Sequence, residues 1–180
     1  EYGVECVRHL RGMFAFAIWD EPRQRLFVAR DHVGIKPLYW TRTGNRFLFA
    51  SEIKSLLLDP EVPRAVDSEA LHHYLTYLYV PAPRSMFAGI QQLPPGHRMT
   101  WTRGELRVEE YWGGPSAMLE GGPGEPVTAD EVWAVLRESV QAHLLSDVPL
   151  GAFLSGGIDS TAIVALLAEL SSGPVETFSV

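Results

Sequence analysis

The residues of this chain with the clearest capacity for chemistry form one run: Ser155, Gly156, Gly157, Ile158, Asp159, Ser160 and Thr161. The pattern places them where an apolar strand turns into a helix, so several backbone N–H groups and the positive end of a helix dipole converge on one small space. Such a space suits an anion. Gly156 and Gly157 have no β-carbon, which allows positive φ angles and lets phosphate oxygens come close. Ser155, Ser160 and Thr161 add hydroxyl donors, and Asp159 offers a carboxylate suited to a Mg²⁺ ion that accompanies phosphates. The run is not a Walker A loop, because the Gly-Lys-Ser/Thr ending is missing. It also lacks the G-x-G-x-x-G spacing of a dinucleotide turn. The competing reading is a glycine turn that merely reverses the chain.

The elements that must position this loop are legible on both sides of it. Thr128 followed by Glu131 is a capping-box signature, and Val132, Val135, Leu136, Val140 and Leu144 mark the inner face of a helix ending near Ser146. Val148 to Leu154 reads as a strand, Ser160 to about Leu170 as a helix and Val175 to Val180 as the next strand, a βαβ unit and therefore the start of a parallel sheet. Residues 113–126 are rich in glycine and proline and read as a linker.

Before the linker the pattern is different. Met13 to Trp19, Leu26 to Ala29, Leu38 to Trp40 and Phe47 to Ala50 read as successive short strands of an antiparallel meander. Ser51 is positioned to cap a short helix, Glu52 to Leu58. Asp67 or Ser68 caps a second, Glu69 to about Leu78, with Leu71, Leu75 and Leu78 spaced for one buried face. A hairpin follows, His97 to Thr102 and Leu106 to Trp112, turning at Arg103 and Gly104.

Composition narrows the classes. With 46% hydrophobic and 21% charged residues, the chain has the material for a packed core and no disordered bias. A formal charge of −7 without a basic stripe argues against nucleic acid as a partner. No apolar run approaches the roughly 20 residues of a membrane helix. The single cysteine, Cys6, allows no internal disulfide and fits a reducing, cytoplasmic setting. Because the chain opens on Glu1 and closes in a strand-like run, it is expected to be an internal piece of a longer protein.

Ser-Gly-Gly-x-Asp-Ser between strand and helix resembles the pyrophosphate loop (PP-loop) of the adenine-nucleotide α-hydrolase fold. Leu-Arg-Gly-Met-Phe-Ala-Phe-Ala at 10–17, Arg-Asp-His-Val-Gly-Ile-Lys-Pro-Leu-Tyr at 30–39, Phe-Ala-Ser-Glu-Ile-Lys at 49–54, Leu-Pro-Pro-Gly-His at 93–97 and the run from Ser146 to Thr161 are together similar to the glutamine-hydrolysing asparagine synthetase family, asparagine synthase B type. The resemblance implies an α+β region followed by an α/β region. Residues 1–112 would be the C-terminal part of an N-terminal-nucleophile (Ntn) type glutaminase domain with αββα layers, a type 2 glutamine amidotransferase. Residues 127–180 would begin the ATP pyrophosphatase domain. It further implies a ligase that makes asparagine from aspartate and glutamine through a β-aspartyl-adenylate, releasing AMP and pyrophosphate, with ATP and Mg²⁺ as cofactors and a homodimer left open.

By the same resemblance Leu154, Ser155, Gly156, Gly157, Asp159, Ser160 and Val180 touch ATP, and Asp159 the metal. For Leu154 and Val180, filling the sheet core is an equal alternative. The glutaminase nucleophile would be an N-terminal cysteine upstream of Glu1, so no catalytic residue is expected within these residues, and Cys6 reads as a packed, inert thiol. Arg30, Asp31, His32 and Lys36 either line the glutaminase site or domain junction or brace their own loop. Adjacent His72 and His73 face different sides of a helix and cannot share a metal as an i, i+4 pair can. Tyr74, Tyr77 and Tyr79 read as packing at the domain junction. Two alternatives stand beside the synthetase: a relative activating another carboxylate, of β-lactam synthetase or peptide-cyclising type, and a nucleotide-binding module without turnover.

Overall fold

The computed structural model describes residues 1–114 and 126–179, and the chain divides into two compact units, residues 1–122 and 123–180. In the first, a 3₁₀ helix, Gly3–His9, precedes β1 (Ala15–Asp20), β2 (Arg25–Arg30), β3 (Tyr39–Thr43), β4 (Arg46–Ala50), α1 (Ile53–Leu56), α2 (Ser68–Tyr77), β5 (Ile90–Gln92), β6 (His97–Thr102) and β7 (Glu105–Glu110). β1 to β4, β6 and β7 overlap the runs that apolar alternation picked out, and β5 was not among them; the strands do not make one meander. They form two antiparallel sheets, ordered β1-β2-β6-β7 and β4-β3-β5. The break falls after β2, where residues 31–38 form a long loop instead of a tight turn, so β6 returns to pair with β2 in the place β3 was expected to take.

Period-two alternation explains how both faces of β2 are buried. Phe27 and Ala29 meet Val7 and Tyr111 on one side. Val28 meets Leu38, Leu93 and Met99 on the other, joined by Trp40 and Phe47 of the second sheet. Side chains of this size each contribute roughly 1.5–3 kcal/mol when withdrawn from water. The far face of the second sheet packs Tyr39 and Leu48 against Leu56 of α1. The layers therefore run 3₁₀ helix, four strands, three strands, α1. The β6–β7 hairpin closes through Arg103 and Gly104, both at positive φ (51° and 87°), as a two-residue type I′ turn demands.

Two expectations about helices fail here. α1 is capped at Glu52, not Ser51, and receives no side-chain cap bond. α2 is capped by Asp67, whose carboxylate accepts from the N–H groups of Glu69 and Ala70, yet Leu71, Leu75 and Leu78 are exposed and Ala70 alone is buried. Helical spacing shows that a face is apolar without showing what covers it. Leu78 has in addition left the helix, taking φ 62° as its C-cap. Tyr74, Tyr77 and Tyr79 are exposed as well.

The second unit consists of α3 (Ala129–His143), β8 (Gly151–Phe153), α4 (Ile158–Leu170) and β9 (Glu176–Phe178). Thr128 and Glu131 form the reciprocal capping box that the sequence announced. Along α3 Val140 is buried and Leu136 and Leu144 half-buried, whereas Val132 and Val135 face solvent. β8 and β9 pair in parallel through Gly151↔Glu176, Ala152↔Thr177 and Phe153↔Phe178. Gly151 permits that approach: a β-carbon there would lie 2.6 Å from the Phe178 ring. No helix among the described residues is long and apolar enough to cross a membrane.

Candidate functional site

The run Ser155–Thr161 leaves the end of β8 beside β9. Leu154 is half-buried and tied by its backbone: its N–H donates to Phe178 O at 2.8 Å, and its carbonyl accepts from Ser179 Oγ at 2.7 Å. Ser179 was not singled out in the sequence, and nothing short of the strand pairing would have revealed it. Ser155, Gly156, Gly157 and Asp159 are exposed, and Ser160 is half-buried. Val180 lies outside the described residues.

Helix α4 begins at Ile158, two residues before the sequence pattern placed it, with Gly157 as N-cap. Asp159 therefore belongs to the first helical turn. The two glycines divide their roles. Gly156 takes φ +81° with open space where a β-carbon would project, whereas Gly157 sits at φ −78°, ψ 161°, which any residue can adopt. The expected positive φ is needed at the first glycine only.

The hydroxyls are spoken for. Ser160 Oγ and Thr161 Oγ1 donate to Gly157 O at 3.0 and 2.8 Å. Ser155 Oγ lies 3.1 Å from Ser160 Oγ, and because Ser160 has already given its one proton, Ser155 is the donor. What remains for a ligand is the main chain. The N–H groups of Ile158, Asp159 and Ser160 fall in the first turn, where no helical carbonyl is available, and the N-cap residue has no side chain to accept from them. Thirteen residues of helix stand behind these N–H groups, so the positive end of their dipole is unneutralised except by Asp159. The Asp159 carboxylate makes no hydrogen bond or ion pair with any described residue. The set fits a polyphosphate, held by amides, with one carboxylate for a Mg²⁺ ion whose other ligands come from phosphate and water.

The second charged motif has the opposite character. Arg30 and Asp31 are buried. Arg30 donates to Lys36 O, Leu93 O and Gly34 O at 2.7, 2.6 and 2.7 Å. The Asp31 carboxylate accepts from the N–H groups of Ile35 and Lys36, both at 2.9 Å. Burial by itself pushes this carboxyl up, but the amides of Lys36, Ile35, Phe14 and Gly34 together hold it below its ordinary value. Tyr111 donates its hydroxyl to Arg30 O at 2.6 Å, and burial, with the nearby Asp31 charge, raises it to about 12. His32 stands edge-on to Tyr111 and Trp112. Arg30 and Asp31 brace the loop through its backbone. Lys36 is exposed. Cys6 is half-buried and packs against the Val7 cluster.

Comparison with known proteins agrees with this two-part organisation. Residues 1–112 match the family model described as glutamine amidotransferase domain, and the chain belongs to that family. Residues 131–180 match the model described as asparagine synthase. Asparagine synthetase (glutamine-hydrolyzing) 3 of Bacillus subtilis strain 168 is 37% identical over 100% of this chain and 30% of its own length. A putative asparagine synthetase (glutamine-hydrolyzing) of Mycobacterium bovis is 40% identical over 92% of this chain and 26% of the relative. A protein of Gibberella zeae named amidase chry2 is 36% identical over 94% of this chain and 25% of that protein. The chain thus spans about a third or less of the curated relatives it matches.

Proposed function

We propose that this chain is part of an ATP-dependent amidotransferase, a carbon–nitrogen ligase that forms asparagine from aspartate and glutamine through a β-aspartyl-adenylate, with AMP and pyrophosphate released. The observation that carries this reading is the uncapped start of α4, directly after the positive-φ Gly156 and within the segment that matches the asparagine synthase model. Residues 1–112 are the C-terminal part of an Ntn-type glutaminase. The helix, sheet, sheet, helix layering supports that assignment. Residues 113–126, of which 115–125 lie outside the described residues, would be the linker, and 127–180 open an adenine-nucleotide α-hydrolase-like sheet, a reading supported by the parallel β8–α4–β9 unit.

Each site residue then has a physical task. The amides of the first turn bind and orient the polyphosphate of ATP, together with Ser155, Gly156, Gly157 and Ser160. Leu154, just after β8, and Val180, which lies outside the described residues, meet the adenosine. Asp159 holds a Mg²⁺ ion, which when bound neutralises phosphate charge. The hydroxyl chain of Ser155 and Ser160 keeps the turn rigid, so the amides are already aimed when nucleotide arrives. The glutamine nucleophile is a cysteine on residues preceding Glu1, not the packed Cys6, and a reducing, cytoplasmic setting keeps both thiols free.

The test supplies the full-length parent protein with ATP, glutamine and aspartate and follows the products. Asparagine together with AMP is the expected outcome; ADP and phosphate in place of AMP would overturn the adenylate route. A second reading, a synthetase of the same class that activates another carboxylate, differs on one point, the acceptor acid. AMP formation that depends on an acid other than aspartate would establish it.

A further inference from the structure

The turn at residues 155–157 is held from two directions. On its far side it runs into α4, where Ser160 and Thr161 donate back to Gly157 O. On its near side it leaves β8, and there the hold comes from β9. The strand pairing ends at Phe153↔Phe178, and one step further the same register sets Ser179 opposite Leu154. The Leu154 N–H still donates to a main-chain group, Phe178 O, at 2.8 Å. Its carbonyl is taken by a side chain instead, accepting from Ser179 Oγ at 2.7 Å. Among the described residues, Ser179 is the one side chain outside the loop and α4 that bonds to residues 154–157.

The Leu154 carbonyl and the Ser155 N–H belong to one planar trans peptide group, so they point in opposite directions and turn together. Fixing the oxygen from β9 therefore fixes the aim of the N–H on the other side. That N–H has no partner among the described residues, and neither do those of Gly156 and Gly157. We infer that Ser179 is a positioning residue of the nucleotide site: its hydroxyl holds the Leu154–Ser155 peptide at the angle from which the loop amides meet the polyphosphate of ATP. This rests on the proposed reading of Ser155–Thr161 and adds to it a residue from the neighbouring strand. Ser179 acts through Leu154 and not on the nucleotide. With the peptide already set, ordering the loop is not charged against binding.

Ser179→Ala and Ser179→Thr in the full-length protein test this through AMP formation from ATP with glutamine and aspartate. Alanine removes the donor, whereas threonine keeps it on a side chain suited to extended backbone. Ser179→Ala should raise KM for ATP about fivefold, the scale of one hydrogen bond, with kcat within about twofold, because the lost orientation serves ground state and transition state alike. Ser179→Thr should return KM to within about twofold of wild type. An alanine variant with the wild-type KM overturns the inference. So does a threonine variant as weak as alanine, which assigns the effect to side-chain shape, and so does a fall in the urea midpoint large enough to account for the lost affinity. A wild type that neither forms AMP nor binds ATP in calorimetry overturns the functional proposal and this inference together. A wild type that binds ATP no more tightly than the alanine variant overturns this inference alone.

Discussion

Two loops of this protein carry motif residues, and they differ in whether their polar groups are already used. In the Arg30–Lys36 loop the guanidinium and carboxylate are buried and all their observed partners are backbone groups of the same unit. In the Ser155–Thr161 loop the hydroxyls close on one another, the first-turn amides are left over and the Asp159 carboxylate has no partner among described residues. A charged motif is therefore no guide to binding until its hydrogen bonds are counted. Saturated groups hold a fold together; unsaturated ones at a surface are available to a ligand.

The contrast is most exposed to failure at Arg30. Arg30→Met leaves three carbonyls of a buried loop without their donor, and roughly 3–5 kcal/mol of stability should be lost in a urea titration of the full-length protein. Arg30→Lys should restore little of it, since an ammonium cannot span the same three acceptors. Next comes Gly34→Ala, expected to cost about 2 kcal/mol. The residue sits at φ +71°, and a β-carbon there would lie 2.8 Å from Pro95 and 3.2 Å from the Arg30 guanidinium. Asp159→Ala should behave in the opposite way: the urea midpoint stays put, within about 0.5 kcal/mol, while Mg²⁺-dependent ATP affinity measured by calorimetry falls about tenfold or more. Equal loss of stability and affinity would erase the distinction between the loops.

The smallest expected effect is in acid. Asp31 is held below its ordinary value of 3.8 in the fold, so its contribution is fully present above the unfolded carboxylate pKa and is lost as pH falls through the lower folded value. Asp31→Asn should flatten that part of the stability curve. An unchanged slope would show that the amides around Asp31 do not favour its charge.

Much of this arrangement could be read from residue types. Strand alternation located β2, β4 and β6, and Thr128 with Glu131 announced the start of α3, because both signals are local. The split of the strands into two sheets was not legible, since it depends on the 31–38 loop being too long and too well braced to act as a hairpin turn. Nor was the fate of Leu71, Leu75 and Leu78, because periodicity records an apolar face and not its cover. In the Ser155–Thr161 loop the glycines and the strand-to-helix setting were visible. The internal use of the three hydroxyls was not, because it depends on oxygen-to-oxygen distances, and neither was the part of Ser179, which comes from twenty-five residues away.

Gly157, as N-cap, offers α4 no side-chain acceptor, and under the proposed reading this ties the stability of the loop to its ligand. Gly157→Asp would supply a built-in anion, raising the melting temperature through about 0.5 kcal/mol of helix stabilisation while repelling the polyphosphate from the same seat. If the loop seats a nucleotide as proposed, the helix would be finished by its guest, and nucleotide binding and thermal tolerance would rise together.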